Sequence, residues 1–307
     1  MNISLTSYKK SKFAVAVSGG SDSLALLHLL VDNGLQNNMT VLHFDHNLRA
    51  ESADEAVQVH DICNELNVKC VIGKWLEPDL DGNLQQAARH ARYAFFKQYC
   101  HENNLEFVMV GHTVDDVAET FLMRLARGSG LKGLSAMQEN SHAMGVHVVR
   151  PLLHILREDL QKYLHQKNVK YISDPSNDNS KFFRIRIRKL KNLLHESGLT
   201  YKNIRESALS LRRADDALLS YTQMAFDNCV KVEGAKLLVD MSFQYYPDEI
   251  KLRLIEKVIL QITGEGLAPR TSKRLRAVKA MESGENKFTL GGVKFTFKSD
   301  SYLLEIE

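Results

Sequence analysis

A short segment rich in glycine and serine, Ser18–Ser23, lies between an apolar run and a stretch with helical spacing. Two glycines let the backbone approach a ligand closely and adopt positive φ. Free amides at a helix N-terminus attract an anion, and serine hydroxyls add further donors. The segment has neither the Gly-Lys-Ser/Thr of a Walker loop nor the G-x-G-x-x-G of a dinucleotide turn. It therefore predicts a phosphate-binding loop of another kind, and a plain strand-to-helix turn is the alternative. The predicted binding residues are Ser18, Gly19, Gly20, Ser21, Asp22 and Ser23.

A second polar segment, Gly111–Thr120, contains acids that follow a short apolar run. Asp116 and Glu119 are three residues apart, so they share one face of a helix. Acids are also common in a first helical turn because the helix dipole favours them, with Thr113 as a suitable cap. Carboxylates beside a triphosphate repel it unless a cation intervenes. A metal ion or an amine substrate would supply that cation.

Two groups of basic residues are candidates for anion recognition. Arg89 and Arg92 share one face of a predicted helix, where forked guanidinium groups suit an anion and a solvated basic face is the alternative. A basic run follows later in the chain, with alternating arginines that indicate one face of a strand or a solvated helix. Its members are Lys181, Arg184, Arg186, Arg188, Lys189 and Lys191.

The first half of the chain alternates between apolar runs and stretches with helical spacing. The predicted strands are Phe13–Val17, Val41–Phe44, Val68–Ile72 and Phe107–Val110. Predicted helices lie between and after them, from Ser21 to about Val31, from 84 to 99 and from about Asp115 to Leu125. This alternation predicts an α/β fold with a parallel sheet and helices on both faces. Ligands of such sheets bind beyond the carboxyl ends of the strands, which is where the phosphate-binding loop and the acids lie.

The pattern changes near residue 170, where Asp174–Ser180 is rich in turn-forming residues. Beyond it the segments Leu209–Leu219 and Ile250–Ile262 have helical spacing, and Lys294–Lys298 and Tyr302–Ile306 resemble strands. We therefore predict a catalytic domain over residues 1–190. Residues 191–307 are predicted to form a smaller, mainly helical domain with a β tail.

Composition restricts the class of protein. The chain has 307 residues, of which 44% are hydrophobic and 25% are charged, as in soluble globular proteins. It has no apolar stretch long enough to span a membrane, so no membrane association is expected. The four cysteines form no C-x-x-C pair and suit a reducing cytoplasm. A net charge of +3 permits an RNA partner, and a homodimer is compatible with all of these features.

The motifs resemble those of a known family. The segment SGGSDS is similar to the signature of the PP-loop ATP pyrophosphatases, whose fold is Rossmann-like. Three further segments resemble tRNA(Ile)-lysidine synthetases, namely HFDHNLRAES, NLQQAARHARY and GHTVDDVAETFLMRLARGSGLKGLSAM. The likeness covers roughly residues 13–195 and includes Arg150–Leu153 and Arg184–Arg188. At Ile185 the family usually has Asn, so this chain offers no polar side chain there.

The resemblance implies a two-step reaction. ATP adenylates the O2 atom of the wobble cytidine in a tRNA(Ile) with a CAU anticodon, and free L-lysine then displaces AMP to form lysidine. The loop would bind ATP, with Asp22 holding Mg²⁺. Asp116 and Glu119 would face the lysine amine as general bases, with His112 one turn away. The resemblance further implies that Arg92, Arg184 and Arg188 contact a phosphate, the lysine carboxylate or tRNA.

Other functions are compatible with the same phosphate-binding loop. A tRNA 2-thiolation enzyme of this superfamily would commonly have clustered cysteines, and relatives linked to amidotransferases would use ammonia. A non-catalytic nucleotide sensor or RNA-binding module is a further alternative, which would bind ATP without releasing pyrophosphate. The acids Asp22, Asp116 and Glu119 favour chemistry, because a sensor has little use for acids beside phosphates.

Overall fold

The computed structural model describes residues 3, 5–48, 51–76, 84–135, 137–172, 183–264 and 268–307. The predicted turn-rich segment Asp174–Ser180 and Lys181 lie outside these ranges. The chain divides into two units, Met1–Leu211 and Arg212–Glu307. This division falls within a long helix, downstream of the domain boundary predicted at residue 190.

Six strands of the first unit form one sheet with the order β3-β2-β1-β4-β6-β5. Their bounds are β1 Phe13–Ala16, β2 Met39–Asp45, β3 Lys69–Lys74, β4 Val108–Val110, β5 Asn140–Ala143 and β6 Val146–Val149. All neighbours pair in parallel except β5, which is antiparallel to β6. The predicted parallel sheet is confirmed, and each of the four predicted strands overlaps a strand of the structure.

Nine helices of the described residues begin in the first unit. They are α1 Ser21–Asp32, α2 Ser52–Glu65, α3 Leu84–Glu102, α4 Val114–Leu125, α5 Leu131–Leu134, α6 Arg157–Gln166, α7 Phe183–Lys189, α8 Lys191–Glu196 and α9 Tyr201–Cys229. Helices cover both faces of the sheet because successive strand residues point to opposite sides. Val15 packs in the core that contains α1 and α6, whereas Ala14 packs in the core that contains Phe96 of α3.

The order of the strands determines where a ligand can bind. The chain leaves β1 toward β2 and β3, and β4 then returns to the other side of β1. In open α/β sheets the crevice at such a reversal, beyond the carboxyl ends of the strands, is the usual ligand site. The segment after β1 is Ser18–Ser23, and the segment after β4 contains Gly111 and His112. The fold therefore brings both predicted motifs to the same edge of the sheet.

The second unit combines helices with an antiparallel sheet of order β7-β8-β11-β10-β9. Its elements after α9 are β7 Val230–Glu233, β8 Lys236–Asp240, α10 Asp248–Thr263, α11 Thr271–Glu282, β9 Lys287–Leu290, β10 Val293–Lys298 and β11 Ser301–Ile306. Val258 of α10 and Met281 of α11 pack in one core with Phe295 of the sheet. The predicted β tail corresponds to β10 and β11, and three more strands extend it. None of the described helices has the length and apolar character needed to cross a membrane.

Candidate active site

The loop after β1 has a backbone shape that requires glycine. Gly19 has a φ of 88°, and a Cβ atom there would lie 2.4 Å from Cδ1 of Ile172. The carbonyl of Gly19 accepts a hydrogen bond of 2.9 Å from the amide of Ile172. Any side chain at this position would therefore be strained and would collide with a neighbour. This explains why the segment has glycine at the point where the chain turns from β1 toward α1.

The start of α1 presents free backbone donors beside the loop. The amide of Leu24 donates to the carbonyl of Gly20 at 3.0 Å and makes the first bond of the helix. The amides of Ser21 and Asp22 come earlier and have no carbonyl partner in the described part of the chain. The Ser23 hydroxyl donates to Gly20 and accepts from the amide of Ser18, so it holds the loop closed. These donors have the geometry of an anion site at a helix N-terminus.

Gly111 brings the end of β4 against the first turn of α1. A Cβ atom at Gly111 would lie 2.7 Å from the carbonyl oxygen of Asp22 and 3.1 Å from the amide nitrogen of Ser23. Backbone atoms cannot move aside as a flexible side chain can, so only glycine permits this approach. The acids of α4, which follow Gly111 in sequence, are thereby brought close to the phosphate-binding loop.

Thr113 and Asp116 form the N-terminal cap of α4. Both the amide and the hydroxyl of Thr113 donate to Oδ2 of Asp116, at 2.9 and 3.0 Å. These two bonds leave Oδ1 of Asp116 for other partners. The helix start predicted near Asp115 is therefore confirmed, and Asp116 has a capping role in addition to any role in chemistry.

Arg157, the first residue of α6, joins the acids of both motifs. Its Nε donates to Oδ2 of Asp22 at 2.7 Å. Its two terminal nitrogens lie 3.4 Å from Oδ1 of Asp116 and 3.4 Å from Oε1 of Glu119. The structure thus brings together three acids that the sequence analysis predicted, and it places a protein cation between them. No motif in the sequence predicted Arg157 as part of the site.

Glu119 is fully buried and is surrounded by arginines of α7. Arg188 Nε donates to Oε1 of Glu119 at 2.8 Å, and Arg184 Nε lies 3.2 Å from Oε2. Arg184 also donates to the hydroxyl of Thr120 at 3.0 Å. The alternating arginines of the basic run therefore lie on a helix and not on a strand, and two of them, Arg184 and Arg188, face the acids. Arg186 points away, is exposed and lies over the ring of Phe183.

Two further contacts fix α4 relative to α6 and α8. The carboxylate of Asp115 accepts two hydrogen bonds, one of 2.7 Å from Nζ of Lys191 and one of 2.9 Å from the backbone amide of Arg157. Ile185 and Ile187, between the arginines of α7, are buried and anchor that helix. The position where the family usually has Asn is therefore an apolar packing position in this chain.

The environments of Asp22 and Asp116 move their pKa values in opposite directions. Burial raises the pKa of Asp22, and the charge of Asp116 adds to this effect, while Arg157 opposes it only in part. Burial acts in the same direction at Asp116, but Arg157, His112 and the Thr113 amide outweigh it and lower its pKa. Burial disfavours the charge on Arg157, yet the surrounding acids, Asp22 first, raise its pKa. Asp116 is therefore ionised at neutral pH beside a permanently charged guanidinium group.

His112 lies between the acids and a second basic group. Its Nδ1 accepts a hydrogen bond of 3.0 Å from Nε of Arg150. Burial lowers the pKa of His112 to about 4, and the charges of Arg150, Arg184 and Arg92 act in the same direction, whereas Asp116 opposes them. His112 is therefore neutral at neutral pH. Arg150, which follows β6, lies in a segment that resembles the family, but the sequence predicted no role for it.

Arg92 lies on the part of α3 that approaches the same edge of the sheet. Burial lowers its pKa, and its buried Nε has no hydrogen-bond partner among the described residues. Its positive charge also acts on His46, whose pKa burial lowers to about 4. Arg89 stacks over Tyr93 with its guanidinium carbon 4.7 Å from the ring centroid. A desolvated guanidinium group with a free donor suits an incoming anion.

No group of three His, Cys, Asp or Glu side chains in the described ranges is arranged to hold a metal ion by itself. The predicted metal ligand, Asp22, is instead bonded by Arg157. The cysteines are free, and Cys63, Cys100 and Cys229 are buried.

Comparison with known proteins agrees with this fold. The model of the PP-loop domain family matches residues 1–194. A solved structure, the U34-tRNA thiolase NcsA from Methanococcus maripaludis with its [4Fe-4S] cluster, superposes with a TM-score of 0.55 at 21% identity. That match covers 69% of this chain and 72% of the thiolase, and it supports the fold alone. The fold and the loop after β1 define a PP-loop ATP-binding protein.

Similarity to curated relatives identifies the family within this class. The chain is 34% identical to the tRNA(Ile)-lysidine synthase of Wolbachia pipientis wMel over 98% of this chain and 72% of the relative. It is 36% identical to that of Wolbachia sp. subsp. Brugia malayi (strain TRS), over 96% of this chain and 70% of the relative. The chain belongs to the tRNA(Ile)-lysidine synthase family.

Proposed function

We propose that this protein attaches free L-lysine to carbon 2 of the wobble cytidine of a tRNA(Ile) with a CAU anticodon, and that it converts ATP to AMP and pyrophosphate in doing so. The observation that carries the proposal is the link between the acids of α4, Asp116 and Glu119, and Asp22 of the phosphate-binding loop through Arg157. A cationic amine and a triphosphate can then bind within one site. Family membership supports the same reaction.

ATP binds at the free amides of the loop and of the first turn of α1. The O2 atom of cytosine attacks the α-phosphorus, the bond to the β-phosphate oxygen breaks, and pyrophosphate leaves with the electron pair. Asp22 is the residue that would hold Mg²⁺, because its side chain is 19% exposed beside the loop and one guanidinium group only partly balances it. Bound Mg²⁺ would stabilise the negative charge of the leaving pyrophosphate.

Lysine binds with its reacting amine toward the acids. The amine nitrogen attacks carbon 2, the bond from carbon 2 to O2 breaks, and AMP leaves with that oxygen. The bound ammonium group gives up one proton before it attacks, and the nitrogen gives up a second when the bond to carbon 2 has formed. Asp116 is the better proton acceptor, because Oδ1 makes only a 3.4 Å contact with Arg157, whereas Glu119 is bonded at 2.8 Å by Arg188.

Arginines of the first unit would bind the anionic groups of the substrates. Arg184 and Arg188 reach Glu119 from α7, so lysine bound there would meet them through its carboxylate. Arg92, with its free buried donor, would contact a phosphate group. We also assign residues 191–307 a role in tRNA binding, which is expected to weaken steeply with salt.

A direct assay tests the proposal. The protein is incubated with ATP, labelled lysine and total tRNA, and label is then measured in the RNA. We expect label in tRNA, with AMP and pyrophosphate formed in equal amounts over many turnovers, pyrophosphate only when tRNA is present, and AMP only when lysine and tRNA are both present. Sulfur incorporation instead would support the thiolation alternative, and ATP binding without pyrophosphate would support a sensor.

The cellular context follows from the substrates. ATP, free lysine and tRNA are available together in the cytoplasm, and we propose that location for the reaction. A homodimer is compatible with the site, and sedimentation of the protein with and without tRNA tests it.

A further inference from the structure

His112 has two ring nitrogens in different surroundings. Nδ1 lies 3.0 Å from Nε of Arg150. A guanidinium group has donors and no acceptor, so Nδ1 must accept this hydrogen bond and cannot itself carry a hydrogen. The neutral ring therefore carries its hydrogen on Nε2, because a neutral imidazole has one donor and one acceptor.

Arg150 is held firmly enough to enforce this tautomer. It is 7% exposed, and its NH1 donates to the carbonyl of Gln138 at 2.9 Å and to the hydroxyl of Ser141 at 2.7 Å. These two bonds hold the guanidinium group in place through NH1. Its Nε donates to the ring of His112. Arg150 also lies at the end of β6, so a strand of the sheet sets its position.

The groups that face the ring favour the neutral form. Arg150, Arg184 and Arg92 repel a positive charge on His112, whereas Asp116 attracts one, and burial acts with the arginines. Protonation would also put a hydrogen on Nδ1 directly against the N–H of Arg150. The ring therefore has no free basic nitrogen, because Nδ1 is occupied and Nε2 already carries its hydrogen.

Nε2 is the nitrogen available to a ligand. No described residue forms a hydrogen bond with it, although the ring is half-buried between α4 and the strands. Asp116, one helical turn away, and Arg157 mark the place where the reacting groups meet. A neutral N–H donor in such a setting stabilises charge that develops on an oxygen without itself losing a proton.

We propose that His112 donates a hydrogen bond through Nε2 to a substrate oxygen that gains negative charge, and that Arg150 is the positioning residue that fixes this tautomer. The inference rests on the proposed function, since it assigns a role within that site. The acceptor is a phosphate oxygen of ATP in the adenylation step or O2 of the base when AMP leaves. In both cases His112 acts as an electrophile and not as a general base.

The tautomer can be measured without any assay of activity. Two-bond ¹H–¹⁵N correlation spectra of the full-length protein report which ring nitrogen carries the hydrogen, and the His112 signals are assigned by their loss in His112→Gln. We expect Nε2–H in the wild-type protein, with no titration of the ring between pH 6 and 8. A ring protonated at Nδ1, or one that titrates in that range, would overturn the proposal.

Side-chain replacements test the role in the reaction. The amide nitrogen of Gln can occupy the place of Nε2, whereas that of Asn lies near the place of Nδ1. We expect His112→Asn to lower kcat about 100-fold, and His112→Gln to retain at least about tenfold more activity than His112→Asn. His60→Gln, on the exposed part of α2, is the control and should match the wild type. Equal losses in the two His112 variants would contradict a donor role for Nε2.

Arg150→Met separates positioning from binding. We expect kcat to fall at least about tenfold with little change in KM for ATP, and the His112 signals to show a mixture of tautomers. If this variant does not fold, Arg150→Gln carries the same test, because an amide side chain can accept as well as donate a hydrogen bond and therefore does not enforce one tautomer. A wild-type tautomer in a folded variant would remove Arg150 from this role.

The two steps identify the acceptor oxygen. Pyrophosphate release in a single turnover without lysine reports adenylation, and transfer of lysine to isolated adenylated tRNA reports the second step. The step slowed in His112→Asn contains the oxygen that accepts the bond. If no lysine enters tRNA even with the wild-type protein, the proposed function fails, whereas the tautomer measurement still stands or falls by itself.

Discussion

Nε of Arg157 donates to Oδ2 of Asp22 at 2.7 Å, although the two residues are 135 positions apart in sequence. This ion pair joins the N-terminus of α6 to the phosphate-binding loop. The same guanidinium group contacts Asp116 and Glu119, so the acids have a cationic partner before any ligand binds. Repulsion between the three acids is thereby relieved within the protein itself. A substrate that binds these acids must therefore do so beside Arg157 or displace one of its ion pairs.

Replacement of Arg157 by Ala should destabilise the protein by about 3 kcal/mol, because it leaves largely buried carboxylates without their shared cation. Urea unfolding measures this change, and product formation should be lost as well. Lys162→Ala on the same helix is the matched control, since its ion pairs with Glu158 and Asp159 are exposed. An Arg157→Ala protein as stable as the control would mean that the acids need no internal cation.

Replacement of Asp116 by Ala should abolish product while ATP affinity stays within a few-fold of the wild type. The reason is that Asp116 is placed to accept the amine proton and lies on α4, whereas the loop after β1 binds the phosphates. Labelled lysine in tRNA and equilibrium ATP binding measure the two properties. Asp159→Ala, on the exposed side of α6, is the control. Loss of ATP binding in Asp116→Ala would instead make it a metal ligand or a structural residue.

Arg184 and Arg188 should differ from Arg186 although all three lie on α7. The first two contact Glu119, whereas Arg186 is exposed. We expect Arg184→Ala to raise KM for lysine about tenfold, which corresponds to loss of one charge-assisted hydrogen bond. Arg188→Ala should have a similar effect and Arg186→Ala almost none. Equal values for the three variants would show that net charge alone matters.

A methyl group at Gly111 should damage the ATP site. It would collide with the backbone of Asp22 and Ser23, and the forced movement should cost about 1–3 kcal/mol of stability. ATP affinity should fall at least about tenfold in a calorimetric titration, because the first turn of α1 provides the amides. Gly130→Ala is the control, since Gly130 has a φ of −79° and nothing within 4 Å of a Cβ atom. Unchanged affinity in Gly111→Ala would place the triphosphate elsewhere.

Stability should decrease as the pH falls from 6.5 toward 4. Burial lowers the pKa of His112 and of His46 to about 4, so over this range the unfolded chain binds more protons than the folded one. Such groups stabilise the folded state above the unfolded pKa of 6.5, and this contribution is lost on acidification. Each contributes a slope of up to about 1.4 kcal/mol per pH unit. Asp22, with its raised pKa, acts in the opposite direction.

Urea unfolding at a series of pH values measures this slope. The slope should be smaller in His112→Gln, because the variant has no ionisable group at that position. An identical pH dependence in the variant and the wild type would mean that folding does not shift the pKa of His112.

The sequence itself was sufficient to predict the architecture of the first unit. Mainly apolar runs such as Val41–Phe44 alternate with segments of helical spacing, and each lies in an element of the predicted type. The five strands β5 to β9 were not predicted. They are four or five residues long, and all except β6 leave more than half of their residues at least partly exposed, so their pattern is too short and too weakly apolar to separate from that of a loop. In the second unit they form a sheet only because non-local pairing stabilises them.

The individual motifs of the site could also be predicted, because each depends on residues that are close together in sequence. The phosphate-binding loop and the α4 acids are each contiguous, and a strand followed by a helix places them at the edge of the sheet where ligands bind. Arg150 and Arg157 could not be identified, because no local pattern distinguishes either from a surface arginine. Each follows the end of β6, and that strand had no assignment from the sequence.

The sequence by itself determined the loop after β1, the acids on one face of α4, the parallel sheet and the family. Only the tertiary structure decided which charges meet: Arg157 between three acids, α7 arginines at Glu119, and Arg150 at Nδ1 of His112. The physical reason is that helical and strand periodicity depends on neighbours within a few residues. Ion pairs and a tautomer depend instead on groups dozens of residues apart, which come together only when the strands pair.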